Sequence, residues 1–265
     1  MSKVKDLIKT ALQSYRQMKS SDAASHLRNE KNDHILNQIA SEGVYVVENF
    51  LSSEQVEAMR KEVERVFVEH KQFLWQDEEQ SDHRIHGAQR GSELINTFNS
   101  HPFLQQFSDF FYGKPSISFS TLAAKLTATE KNSGSGGGWH RDTPYEKKQF
   151  KAIIYLTDVD DDNGPFQYVK GSQNEVSLYK NIIKYDIEYG QHRFSDDEVT
   201  KILTDSSFQL NTYKAKAGTL LMVNTFGIHR GMPIHKGERI ALTNYYYVEA
   251  GFNHDFFEKK FNLIR

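Results

Sequence analysis

The side chains of this chain best equipped for chemistry are two histidines and a carboxylate. His140 and Asp142 stand two apart in Trp139-His140-Arg141-Asp142. On an extended segment, residues i and i+2 share a face, so imidazole and carboxylate aim at one point. Arg141, between them, points the other way and is expected to make structural contacts. A strand-like run, GTLLMVNTFGI, then delivers a second imidazole, His229, from far along the chain. Two imidazoles and one carboxylate form a facial triad that leaves three metal positions open, the ligand set that suits non-haem Fe(II) oxygenases. Asn224 and Thr225 precede His229 and are placed to orient a ligand. His192, His235 and His254 lie in polar sequence and are assigned to the surface.

These residues need rigid elements to carry them. The apolar run 152–156 reads as a buried strand, and Lys151, Ile153 and Tyr155 share one face of it, so one of them is a candidate to line the pocket. Asp-Asn-Gly-Pro at 162–165 makes a turn into a further strand at 166–169. Residues 116–129 alternate as a long strand. Its Leu122, Ala124 and Leu126 face is assigned to the packed sheet. Thr121, Lys125 and Thr127 then point into the barrel, a surface lysine being the alternative. Residues 32–48 read as helix, Gly43 stop and β-branched strand, followed by a helix capped at Ser52 or Ser53. Another helix covers 101–112.

Four segments are left to shape the site. Residues 70–100, with His83, Arg84, His86 and Arg90, read as a substrate-facing loop rather than a second metal site. The glycine-rich 132–138 is a hinged lid or a plain connection. Residues 172–214 form a helical insertion roofing the site, its second helix opened by the capping box Ser195-Asp-Asp-Glu198. Residues 3–18 form an amphipathic helix within an N-terminal extension over 1–30, docked on the barrel's outer face or serving as a dimer contact.

Composition narrows the class. The chain of 265 residues has 33 Lys+Arg against 35 Asp+Glu, a formal net charge of −2, which gives no global electrostatic case for nucleic acid. There is no cysteine, which excludes disulfides, thiolate catalysis and Cys-based zinc sites and fits a reducing compartment. No run approaches the ~18 apolar residues of a membrane span, and the first residues lack a secretory pattern. The expectation is a cytoplasmic, single-domain protein over 1–265, of undetermined oligomeric state.

The motifs WHRD, YLTDVDDDNGPFQYVKGS, GTLLMVNTFGIHRG and ERIAL, with EGVYVVENFLSSEQVEAMRKEVE nearer the N-terminus, resemble the phytanoyl-CoA dioxygenase family of Fe(II)/2-oxoglutarate-dependent oxygenases. The resemblance covers roughly residues 35–250. It implies a mainly β fold with flanking helices around a double-stranded β-helix (jelly-roll, cupin-like) core. It implies Fe(II) held by His140, Asp142 and His229, and 2-oxoglutarate as co-substrate with Arg239 binding its distal carboxylate. The family also places polar partners for 2-oxoglutarate on the strand that carries Lys125. The implied reaction consumes dioxygen, releases succinate and carbon dioxide, and hydroxylates a C–H bond; the polar segments 70–100 and 172–214 fit a small, polar or conjugated metabolite. Two other readings compete: a non-catalytic barrel of the same fold that binds a metal or sugar, and a zinc hydrolase. The latter lacks an obvious general base and leaves Arg239 idle.

Overall fold

The long strands of this chain bury side chains on both faces, one against helices and the other against an internal cavity, and that alternation decides the architecture. The computed structural model describes residues 3–9, 25–143, 148–188 and 190–264. Residues 3–9 are helical (α1), and the remainder of the expected 3–18 helix lies outside the described residues. Val4 and Ile8 of α1 are exposed. Then come α2 (Glu30–Glu42), β1 (Val44–Val47), α3 (Ser53–Glu69), β2 (Trp75–Gln76), β3 (Asp82–His86), α4 (Ala88–Gly91), α5 (Glu93–Asn99), α6 (Pro102–Tyr112) and β4 (Ser116–Thr127). The second half holds β5 (Phe150–Tyr155), β6 (Phe166–Lys170), α7 (Glu175–Lys184), α8 (Asp196–Leu203), β7 (Gln209–Tyr213), β8 (Leu220–Asn224), β9 (His229–Gly231), β10 (Glu238–Val248) and α9 (His254–Phe261).

Seven strands make one antiparallel sheet in the order β1-β8-β5-β10-β4-β3-β2, and β7-β6-β9 make a second. The two sheets close into a jelly roll. The outer face of the large sheet carries Ala123, Phe150, Ala152, Ile154, Met222, Ile240, Leu242 and Tyr246, which pack with Ile35, Val63, Ile95 and Phe107 of the helices. The inner face carries Tyr155, Leu221, Val223 and Ala241, which meet Phe166 and Tyr168 of the small sheet.

Local signals set the element ends. Gly43 closes α2 in the left-handed conformation (φ 82°) with its N–H on the Ile39 carbonyl. A capping box between Ser52 and Gln55 opens α3, and one between Ser195 and Glu198 opens α8.

Two expectations fail here. Residues 70–100 are not a loop: β3 pairs with β4 across Asp82↔Leu126 to His86↔Leu122 and extends the large sheet. Charged and imidazole side chains along a half-buried strand give it a loop's composition. The 172–214 segment contributes α7 and α8 but ends in a strand, β7, paired with β6. Among the described residues, only His192 and Arg193 of that segment line the main cavity. No helix of the described residues is long and apolar enough to cross a membrane.

Candidate metal centre

Backbone pairing brings the two histidines together. His140 and His229 sit opposite each other in an isolated antiparallel bridge and exchange two N–H···O bonds of 2.9 Å. The His-x-Asp segment is therefore a short extended piece joined to the start of β9, rather than part of a long strand. The Asp142 N–H, 3.2 Å from the Thr225 carbonyl, fixes the third residue. One ligand atom from each of His140, Asp142 and His229 lies within 4.8 Å of the other two, and no other such cluster occurs among the described residues.

The hydrogen-bond partners settle which ring atoms are free. His140 Nδ1 lies 2.9 Å from the Gly138 carbonyl, and His229 Nδ1 lies 2.8 Å from that of Gly227. A carbonyl only accepts, so both Nδ1 atoms carry the proton and both Nε2 atoms keep a lone pair, the arrangement of metal-binding histidines. His140 Nε2 is 3.8 Å from Asp142 Oδ1, and His229 Nε2 is 4.0 Å from Oδ2. Two glycines permit this crowding. A Cβ on Gly136 would stand 2.3 Å from His140 Cε1, and one on Gly227 would stand 1.9 Å from the Tyr168 hydroxyl, which donates to Asn224 O at 2.7 Å beside the His229 ring.

Lys151 completes the charge pattern. Its ammonium, 7% exposed, contacts Asp142 Oδ2 at 2.7 Å and lies 4.0 Å from the centre of the Tyr245 ring, its cross-strand partner on β10. The Asp142 contact is a close ion pair off the hydrogen-bonding direction, so Oδ2 keeps no aligned donor. Burial works against ionisation of Asp142, yet Lys151 and the two imidazoles outweigh it and hold the carboxyl well below its usual range. Burial, then the neighbouring His229, pushes His140 down to about 3, and burial also lowers His229. An anionic carboxylate and two neutral imidazoles, one carboxylate oxygen lacking an aligned donor, are what a divalent cation requires. The residues fit the metal.

Arg239 lies in the same cavity of about 930 Å³, flanked by Leu126, Tyr155, Phe166 and Arg84. It is 5% exposed, makes no ion pair among the described residues, and its Nε is buried without a partner. An unpaired buried guanidinium is costly, and a planar carboxylate would relieve it bidentately. This is the fit expected for the distal end of 2-oxoglutarate. Arg84, by contrast, is committed: it pairs with Asp82, reaches Ser135 Oγ at 3.3 Å and packs on Trp75.

Lys125 does not join them. Its ammonium meets Glu64 of α3 at 2.7 Å and Glu238 at 3.1 Å on the outer face, while Leu122, Ala124 and Leu126 line the cavity. The assignment of the two β4 faces was inverted. Both are buried, so apolar alternation carries no sign of in or out, and a lysine stem can cross the outer core to reach carboxylates at its rim. Arg141 is structural as expected: it is 2% exposed, bonded to Ser172 O and stacked on Phe226 at 4.8 Å. Lys151, Ile153 and Tyr155 all line the cavity. His235 and His254 are exposed, and exposed His192 reaches the cavity mouth. The glycine segment is not a bare hinge. Gly231 N–H binds Ser135 O at 3.1 Å, and Arg193 donates to the carbonyls of Gly136 and Gly137.

The distal half of the cavity was not anticipated at all. It is walled by Tyr245 and Tyr247 of β10 and by Phe252, Phe257 and Phe261 in and around α9. Aromatic residues recurring over 252–261 are the signal that could have revealed it.

The sequence profile described as phytanoyl-CoA dioxygenase (PhyH) matches residues 39–236. Among curated proteins, none matches this chain significantly. The fold is similar to that of the epimerase SnoN solved with Fe3+, alpha ketoglutarate and nogalamycin RO, at 16% identity and TM-score 0.64 over 84% of this chain and 88% of that one. HygX from Streptomyces hygroscopicus, solved with nickel, 2-oxoglutarate and hygromycin B, matches at 16% identity and TM-score 0.57 over 82% and 87% of the two chains. EctD from S. alaskensis with bound Fe matches at 12% and 0.64 over 84% and 77%.

Proposed function

This chain belongs to the phytanoyl-CoA dioxygenase family, and on that premise we propose that it is an Fe(II)- and 2-oxoglutarate-dependent dioxygenase that hydroxylates an unactivated C–H bond of a small, conjugated or polar metabolite. The observation that carries this reading is the pairing of a His140–Asp142–His229 cluster with an unpaired buried Arg239 in one cavity. A metal- or sugar-binding barrel without catalysis has no use for that guanidinium. The neighbours whose names describe an epimerase and a carbocyclase support the oxidative class more than any one outcome within it. The cofactor pair, with dioxygen, supplies the oxidising equivalents.

This chain's residues supply placement. His140, Asp142 and His229 would hold the iron, which would bind the co-substrate and dioxygen. Lys151 keeps Asp142 ionised through its close ion pair with Oδ2. Arg239 would hold the far carboxylate of 2-oxoglutarate, in a cavity whose apolar lining includes Leu122, Leu126, Ile153 and Phe166. Burial, with Tyr245 and Asp142 nearby, raises the Tyr247 phenol above its usual range, so it remains a protonated donor on the substrate side. The reading places the enzyme in the cytoplasm, with a small molecule as its partner and no nucleic acid.

The test is succinate formation from 2-oxoglutarate with Fe(II) and ascorbate under air. Turnover that requires iron and disappears in His140→Ala supports the reading. Succinate formation that is absent, or unchanged by that substitution, contradicts it.

A further inference from the structure

We infer that the substrate of this site is a flat, conjugated ring system carrying an acidic group, which rests on the dioxygenase reading above and names its substrate class. The first observation is how α9 is held. It is tied down at its C-terminal end, where Leu263 and Ile264 are buried and the Ile264 carbonyl accepts from Arg90 at 3.0 Å. Yet α9 has no fully buried residue of its own. Its Phe257 and Phe261, with Phe252 before it, stay half-exposed and face the cavity. An apolar helix face ordinarily buries itself in a core; this one packs only partly, on Phe119, Tyr245 and Tyr247, and keeps the rest of its surface toward a cavity.

The second observation is the shape of that wall. Phe252 and Phe257 stack at 4.7 Å with 12° between their planes, and Phe257 and Phe261 lie 21° apart in plane. His86 stacks on Phe261 at 4.6 Å. These rings already cover one another, with Tyr247 at 4.9 Å from both Phe252 and Phe257, so a ligand ring would pack edge-to-face or offset on the part of this aromatic cluster that lines the cavity. The third is charge. Asp142 is the only carboxylate among the described lining residues, and it is committed to the metal centre. The lining also carries Lys148, which donates to Phe111 O, Arg193, which donates to the carbonyls of Gly136 and Gly137, and Lys260. Lys260 Nζ hangs over Phe257 and Phe261 at 5.8 and 5.4 Å and makes no ion pair among the described residues. A chain of net charge −2 thus concentrates cations where a ligand enters.

The experiment uses the full chain loaded with Ni(II) and 2-oxoglutarate, and calorimetry with three probes: 1-naphthoate, neutral 1-naphthalenemethanol and the saturated decalin-carboxylate. Naphthoate is expected to bind about fivefold more tightly than the saturated acid, the size of one aromatic contact. Phe257→Leu, which keeps an apolar side chain, is expected to erase that preference. Lys260→Gln, at an exposed position, is expected to weaken naphthoate about threefold and to leave the neutral alcohol unchanged. Naphthoate binding no tighter than decalin-carboxylate, or a preference that survives Phe257→Leu, overturns the ring assignment. An equal effect of Lys260→Gln on acid and alcohol overturns the acidic group. Calorimetry of 2-oxoglutarate on the Ni(II) protein separates the two readings: if it binds and the probes fail, only this inference falls; if it does not bind, the dioxygenase reading falls.

Discussion

The two ends of the cavity are built by opposite means. At the metal end, each functional side chain is fixed by backbone pairing and by a second polar contact: His140 by Gly138, His229 by Gly227, Asp142 by Thr225 and Lys151. At the far end, the wall is partly a strap, α9, whose side chains are none of them fully buried. The contrast teaches that the side chains of the metal cluster are held in place from several directions while the aromatic end is packed less completely. The metal end should therefore respond to substitution by losing function, and the far end by changing preference.

The largest effect should come from Asp142→Ala. Loss of a metal ligand ought to exceed the ~100-fold upper range seen for outer partners, which metal titration checks; retained affinity would break the contrast at its strong end. Arg239→Ala follows. A buried charge pair that loses one partner typically costs ~2–5 kcal/mol, so the 2-oxoglutarate requirement should rise by about 100-fold while metal affinity holds.

Lys151→Met sharpens the comparison further. With the ammonium gone, Asp142 keeps a buried charge without its closest counter-ion. Metal affinity should fall by roughly tenfold and metal-free stability by about 3 kcal/mol, measured by titration and by denaturant unfolding.

At the far end, His86→Phe should act through pH. Burial, then Arg84 and Lys151, pushes His86 down to about 3 from 6.5. Its pKa is depressed in the fold, so below pH ~6.5 the unfolded chain binds a proton that the folded chain refuses, and stability falls with pH. His86→Phe should remove about 2 kcal/mol of that loss at pH 5, read from unfolding at pH 7 and 5. The smallest effect is expected at Lys125→Ala: under about 1 kcal/mol for partly exposed ion pairs, with the 2-oxoglutarate requirement unchanged.

The sequence revealed the metal end better than the recognition end, for physical reasons. His140, Asp142 and His229 were legible because their spacing and neighbouring turns are unusual by themselves, and the capping residues Gly43, Ser52 and Ser195 announced helix ends through local chemistry. Lys125 was misplaced because β4 is packed on both faces, Ala123 at 0% exposure and Leu122 at 5%, so periodicity gave its alternation without its direction. β3 was missed because Arg84 and His86, polar side chains that line the cavity, make a strand look like a loop. The role of α9 was invisible because it depends on where Leu263 and Ile264 dock, a contact with Gly87 and Arg90 far back in the chain.

The most direct measurement is an anaerobic optical titration: Fe(II) first, then 2-oxoglutarate, following the visible charge-transfer absorption of the chelate. The account predicts a band that saturates near one equivalent of iron in the natural chain, vanishes in Asp142→Ala, and needs far more 2-oxoglutarate in Arg239→Ala. No band in the natural chain, or an unaltered co-substrate requirement in Arg239→Ala, would contradict it.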